Sequence, residues 1–257
     1  MEMETKLFIA GLAFLAIAII MKILKKIIYG GQPPEIWFKL YSLIDTAWTA
    51  LLIASLIMFL FIQAFKIPSG SMRNTLLEGD HLFVNKFIYG LHIPFADGKR
   101  VFPMRQIKRG DIIVFRAPVS ALSPEEKAKN INKDFIKRCV GLPGDTIEIK
   151  DKVLYVNGIA QSEPYVLYGD KNTTYLGVLH GMSDYQQEWE SGNFVFLGQR
   201  IRDNFGPVVV PEGYFMMMGD NRDFSFDSRF FGPVKNELIK GKALFLYWPL
   251  SRIRIIK

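Results

Sequence analysis

Thr46 to Met72 reads TAWTALLIASLIMFLFIQAFKIPSGSM, and its two parts follow different rules. As far as Phe65 the run is apolar, with Gln63 its only strongly polar member. About 20 residues at about 1.5 Å each cross the hydrocarbon core of a bilayer. Beyond it, Pro68, Ser69, Gly70 and Ser71 form a punctuated turn. The stretch divides the chain into an apolar N-terminal part and a remainder built on another pattern.

Upstream lies a second apolar run, LFIAGLAFLAIAIIM, from Leu7 to Met21. Lys22, Lys25 and Lys26 follow it, and Glu2 and Glu4 precede it. A secretory signal has the opposite order, basic residues first, and a small-residue cleavage site that is missing here. The run reads as a transmembrane helix over about 7–28, with a second helix over about 46–65. Residues 1–66 are thus expected to be a membrane anchor. The intervening loop carries Lys22, Lys25, Lys26 and Lys39 against Glu35. The positive-inside rule places that loop in the cytoplasm and everything after residue 66 on the outer face.

From Ile67 onward, short apolar runs are split by Gly, Pro, Asp and Asn. Candidate strands are 81–88, 111–116, 134–140, 145–150, 153–157, 194–198, 213–218 and 243–248, rich in Val, Ile, Phe and Tyr. Residues 123–133 are charged and helical or loose, and 158–193 show little periodicity. The expected fold is two N-terminal helices followed by a mostly antiparallel all-β domain, 67–145 with 211–257, and a smaller inserted lobe over 146–210.

Composition narrows the function classes. Of 257 residues 49% are hydrophobic and 22% charged, which suits a chain with membrane spans. The formal net charge of +7 fits nucleic acid or an anionic membrane surface. No zinc finger, RNP-like run or Arg-rich helix supports nucleic-acid binding. Cys139 is the only cysteine, so no internal disulfide forms. His81, His92 and His180 are scattered and no HExxH is present, a poor basis for a metal site. No cofactor is implied.

Three segments carry candidate chemistry. Ser71 lies in the turn Ile67-Pro68-Ser69-Gly70-Ser71-Met72, a context that also suits a plain turn residue. As a nucleophile it would need a base, either one of the three histidines or a desolvated lysine. Lys137 is the best lysine, within DFIKRCVGLPGD at 134–145. Strand alternation puts Phe135, Lys137 and Cys139 on one face and Ile136 and Arg138 on the other. An ammonium between Phe135 and Cys139 would be short of water, although a lysine on an edge strand can also reach solvent. The third segment, GDNRD at 219–223 followed by FSFDSR at 224–229, is dense in turn formers. Asp227 and Arg229 fit a structural ion pair, and Ser225 is placed to orient the lysine amine.

In family order these motifs, PSGSM at 68–72, KRCVGLPGD at 137–145 and GDNRDFSFDSRFFG at 219–232, resemble the bacterial type I signal peptidases, the leader peptidases with a serine/lysine dyad. GDHLFVNKF at 79–87 and RGDIIVFRAP at 109–118 fit as well, so the resemblance runs from the second span to about Pro233. It implies a mostly antiparallel β domain with a smaller β-rich insert, resting an apolar surface on the outer leaflet of the plasma (inner) membrane. It implies Ser71 as nucleophile and Lys137 as general base. Ser69 would assist the Ser71 N–H at the oxyanion, and Ser225 would hydrogen-bond the lysine amine. Asp220, Arg222, Asp227 and Arg229 would be structural neighbours. Ile67, Pro68, Met72, Leu76, Phe135 and Ile136 would line pockets for small substrate residues. The implied partners are signal peptides of exported preproteins, membrane lipid and a nearby translocation channel, with no nucleic acid. Departures are Arg73-Asn74 where a proline often stands, Cys139 in place of a small apolar residue, and Phe224 in place of an asparagine. Two rival readings remain: a dyad protease with another substrate, and an inactive membrane-anchored binding protein.

Overall fold

The computed structural model describes residues 3–30, 32, 34–92, 100–170, 172–177 and 184–256. The chain divides into two units, Met1–Ala64 and Phe65–Lys257.

The first unit is helical. Helix α1 is Met3–Tyr29 and helix α2 is Glu35–Leu60. Both are long and apolar enough to cross a membrane, over Lys6–Tyr29 and Glu35–Met58. Their large apolar side chains are mostly exposed, among them Ile23, Ile27, Leu43 and Leu56. Helices of a water-soluble protein hide such a surface, whereas lipid-facing helices display it.

The second helix differs from the hydropathy expectation of 46–65 at both ends. Polar residues between Tyr41 and Asp45 lower the hydropathy without breaking the helix. Asp45 accepts a hydrogen bond from Trp48 Nε1 at 2.9 Å, and Glu35 pairs with Lys39 at 2.8 Å one turn further on. At the other end Ile62–Lys66 is already strand, which carries the chain from one unit into the next.

The second unit is β-rich. Its main sheet runs, by hydrogen-bonded neighbours, His81–Asn85, Ile239–Trp248, Ile112–Arg116, Asp134–Gly141, Tyr214–Met218, Val234–Lys235. Every one of these pairings is antiparallel. The Asp134–Gly141 strand lies inside the sheet, with Ile113 opposite Lys137 and Met218 opposite Arg138. Both its edges are paired, and it is buried from Ile136 to Gly141. Alternation sorts the core. Ile113, Phe115, Cys139 and Met217 share one apolar cluster, and Ile112, Val114, Ile136 and Leu82 another.

Within 146–210 a second sheet forms, in the order Phe205–Val209, Thr146–Lys150, Val153–Val156, Ile159–Ala160. It closes over a cluster around Trp189, Phe194 and Phe205 that it shares with Val140, Met216, Met218 and Phe230. The strand expected at 194–198 is instead part of a 3₁₀ segment, Asn193–Ile201. Phe194, Leu197 and Ile201 reach that cluster at helical spacing, and Gly198 breaks the segment with φ 55°. A short helix, Pro124–Ala128, is fixed by a reciprocal cap between Ser123 and Glu126.

Candidate active site

Pro68 and Ser69 bring the chain in extended, and Gly70–Met72 then makes one 3₁₀ turn that buries Ser71. The turn is held from across the fold. Asn221 N–H donates to Ser71 O at 3.1 Å, and Asn221 Nδ2 donates to Gly70 O at 2.9 Å. The close approach needs Gly219, where an added Cβ would lie 2.5 Å from Ser71 O and closer still to Ser225 Oγ. So the GDNRD motif sets the position of the serine.

Lys137 reaches the same point from the interior strand. Its Nζ lies 2.5 Å from Ser71 Oγ, and the side chain is 5% exposed. The amine also lies 5.8 Å from the centroid of the Phe135 ring, its neighbour on that face. Burial depresses the Lys137 pKa from 10.5 to about 8. Asp227 pulls it upward, Arg229 pushes it down, and Asp220 pulls it up again, all more weakly than burial.

Asp227 spends its charge on Arg229 rather than on Lys137. Arg229 Nε and Nη2 each donate to it at 2.9 Å, and Gly219 N–H donates at 3.1 Å. Burial would raise the Asp227 pKa, but the Arg229 guanidinium outweighs it and holds the carboxyl below its ordinary range. The other positions of the motif are paired likewise. Arg138 donates to Asp220 at 2.9 and 2.7 Å. Arg222 donates to Glu163 at 2.8 and 2.6 Å. Glu163 lies in the 146–210 segment, and no local sequence signal ties it to Arg222.

Ser225 is buried, but the expected hydrogen bond to the Lys137 amine, which contacts Ser71, is not formed. Ser225 Oγ has no hydrogen-bond partner, although it lies near enough to Asp227 to help keep that carboxylate ionised. Ser69 is exposed and stands at the rim of the site.

A cavity of about 530 Å³ opens onto the pair, lined by Pro68, Ser69, Ser71, Phe135, Ile136 and Lys137 from the expected set. Ile67, Met72 and Leu76 are not on its wall. They are fully buried and pack with Ile136 in the core beneath, where they shape the cavity from behind. Lys133, Asp134, Phe224 and Phe226 complete the lining and were not singled out from sequence as cavity residues. The two phenylalanines flank Ser225, whose extended backbone turns them to one side; a segment dense in turn formers did not show this in sequence.

Among the described residues no histidine hydrogen-bonds Ser71. His81 sits in the His81–Asn85 strand against the Tyr247 ring, centroids 5.9 Å apart. The side chain of His92 and all of His180 fall outside what the structure describes.

A serine hydroxyl set against a desolvated amine that readily gives up its charge is the arrangement that serine hydrolases with a lysine base require. The family described as signal peptidase, peptidase S26, matches residues 40–248, and the chain belongs to it. A signal peptidase I of Pseudomonas aeruginosa is 38% identical over 204 residues, covering 73% of this chain and 66% of that protein. The chain thus spans just under two thirds of that relative's length. A signal peptidase I of Bacillus licheniformis is 32% identical over 213 residues, covering 80% of this chain and 90% of that one. A crystal structure of a signal peptidase I from Enterococcus faecalis is 28% identical and covers 54% of this chain and 97% of that chain, with a TM-score of 0.32.

Proposed function

We propose that Ser71 and Lys137 are the nucleophile and general base of a membrane-anchored serine endopeptidase that cleaves signal peptides from exported preproteins. Membership of the signal peptidase family carries the class of reaction. One observation carries the roles: a buried lysine amine, its pKa depressed to about 8, lies 2.5 Å from a serine hydroxyl.

The chemistry follows from that contact. The neutral amine accepts the Ser71 proton as Oγ attacks the scissile carbonyl carbon. The negative charge that develops on the carbonyl oxygen is met by the Ser71 N–H and the Ser69 hydroxyl at the rim. As the peptide C–N bond breaks, the Lys137 ammonium returns the proton to the leaving amine. The acyl-enzyme is then hydrolysed by a water whose proton Lys137 takes. Small residues at positions −1 and −3 of the substrate fit the side of the cavity formed by Pro68, Phe135 and Ile136.

The two apolar helices anchor the enzyme in the plasma (inner) membrane. The helix ends that carry Lys22, Lys25 and Lys26 in α1 and Lys39 in α2 lie on the cytoplasmic side, and the β-rich unit outside, beside the translocation channel. Residues 67–145 and 211–257 form the catalytic domain, and 146–210 the inserted lobe. Proteolysis of sealed inverted vesicles checks the sidedness: the loop is cut and residues 70–257 stay protected.

The activity itself is tested with a precursor bearing Ala-x-Ala before the cleavage site. Wild type cleaves it after the second alanine, and S71A protein of unchanged fold does not. Turnover by S71A would remove Ser71 from the mechanism.

A further inference from the structure

Ser225 is extended, with φ −117° and ψ 123°, so Phe224 and Phe226 leave the chain on the side opposite its buried hydroxyl. Both rings line the cavity that holds Ser71 and Lys137. Phe226 is 38% exposed and held from behind by Phe230 and Phe231, at ring centroids of 5.8 and 5.5 Å. Phe224 is 71% exposed. Its ring edge lies over Gly169, where an added Cβ would come within 2.6 Å of Cε2. A mostly exposed aromatic ring in the lining of a cavity lacks an apolar partner.

The cavity has three walls: the Pro68–Ser71 turn, the Lys133–Lys137 strand segment, and these two rings. In an extended substrate, residues −1 and −3 share one face and residue −2 faces the other way. With −1 and −3 on the wall of Pro68 and Ile136, residue −2 is turned toward the rings. We propose that Phe224, backed by Phe226, forms a subsite that selects an apolar or aromatic side chain at substrate position −2. This deepens the reading of Ser71 and Lys137 as the catalytic pair and rests on it.

The test is kcat/KM on a peptide series differing only at −2, with Ala held at −1 and −3, in detergent. Wild type should prefer Leu or Phe over Asp or Lys by about tenfold, the discrimination that burying roughly one methylene in an apolar pocket supplies. F224A should bring that ratio close to one, and F224W should keep it. S71A tests the dyad on the alanine peptide alone. A flat −2 profile from an enzyme that S71A silences therefore overturns the subsite and leaves the dyad standing. A preference that survives F224A also overturns it. So does an F224A defect that is equal for every residue at −2 and appears only in lipid vesicles, which would assign the ring to the membrane surface instead.

Discussion

Lys137 and Arg138 are neighbours in one strand and both are buried, but the two faces of that strand treat a positive charge in opposite ways. On the Arg138 face the guanidinium meets the Asp220 carboxylate through two hydrogen bonds, and Thr75 Oγ1 donates to the same carboxylate at 2.5 Å. On the other face the Lys137 amine meets a neutral hydroxyl and an aromatic ring. Among the described residues Lys137 is the one buried charged side chain that forms no ion pair; Arg202, Arg222 and Arg229 all have carboxylates. Pairing keeps a buried cation charged and fixes shape. Withholding a partner lets desolvation lower the pKa and makes a base. Asp227 lies close enough to spoil this, and Arg229 neutralises it.

Making the Lys137 face resemble its neighbour gives the largest effect. K137R places a cation that does not lose its proton against Ser71. A loss of roughly 10²–10⁴-fold or more in kcat is expected, the contribution of a general base. Adding S71A to it should cost little further, because the two act as one unit. Steady-state turnover of the Ala-x-Ala precursor checks both, and an active K137R enzyme would break the comparison.

Unpairing the other face tests shape rather than chemistry. R138M leaves the buried Asp220 carboxylate without its cation, with Thr75 Oγ1 still donating to it, and should cost about 3–5 kcal/mol of stability. Chemical denaturation measures it, and R138M with D220L should recover much of the loss. Stability of R138M within about 0.5 kcal/mol of wild type would mean the pair holds nothing. Next in size, S69A should lower kcat by roughly 10²–10³-fold through loss of one oxyanion donor. Its pH profile should keep the wild-type limb.

The smallest effect has the opposite sign. Lys137 titrates near 8 in the folded protein and near 10.5 in an unfolded chain. Below pH 8 both states are protonated, and the fold bears the full cost of a buried ammonium, about 3 kcal/mol. Between pH 8 and 10.5 the unfolded chain holds a proton that the folded one has released, so stability rises with pH. K137M removes the cost. It should melt above wild type at pH 7, with the difference gone by pH 10.5.

How far sequence alone reached follows from the kind of signal each feature left. Alternation around Lys137 was legible, because Phe135 and Cys139 are apolar and the strand is interior. The Asp227–Arg229 pair was legible because its members are two residues apart. Glu163 with Arg222 was not, since the partners are 59 residues apart and nothing local marks them. Ile67, Met72 and Leu76 show a second limit. An apolar residue beside a site reads the same in sequence whether it lines the cavity or supports it from the core. Hydropathy failed at the start of α2 because Asp45 is satisfied within the helix, and it failed at 194–198 because a helical spacing was read as strand.

The central claim is that Lys137 works as a neutral base because the fold withholds a carboxylate from it. The most direct measurement is kcat/KM against pH on a short Ala-x-Ala peptide in detergent, for wild type and R229M. Wild type should show an acidic limb near pH 8, and R229M, with Asp227 left unneutralised, a limb shifted to higher pH. A wild-type limb at the ordinary lysine value of 10.5, or one that R229M leaves in place, would contradict the account.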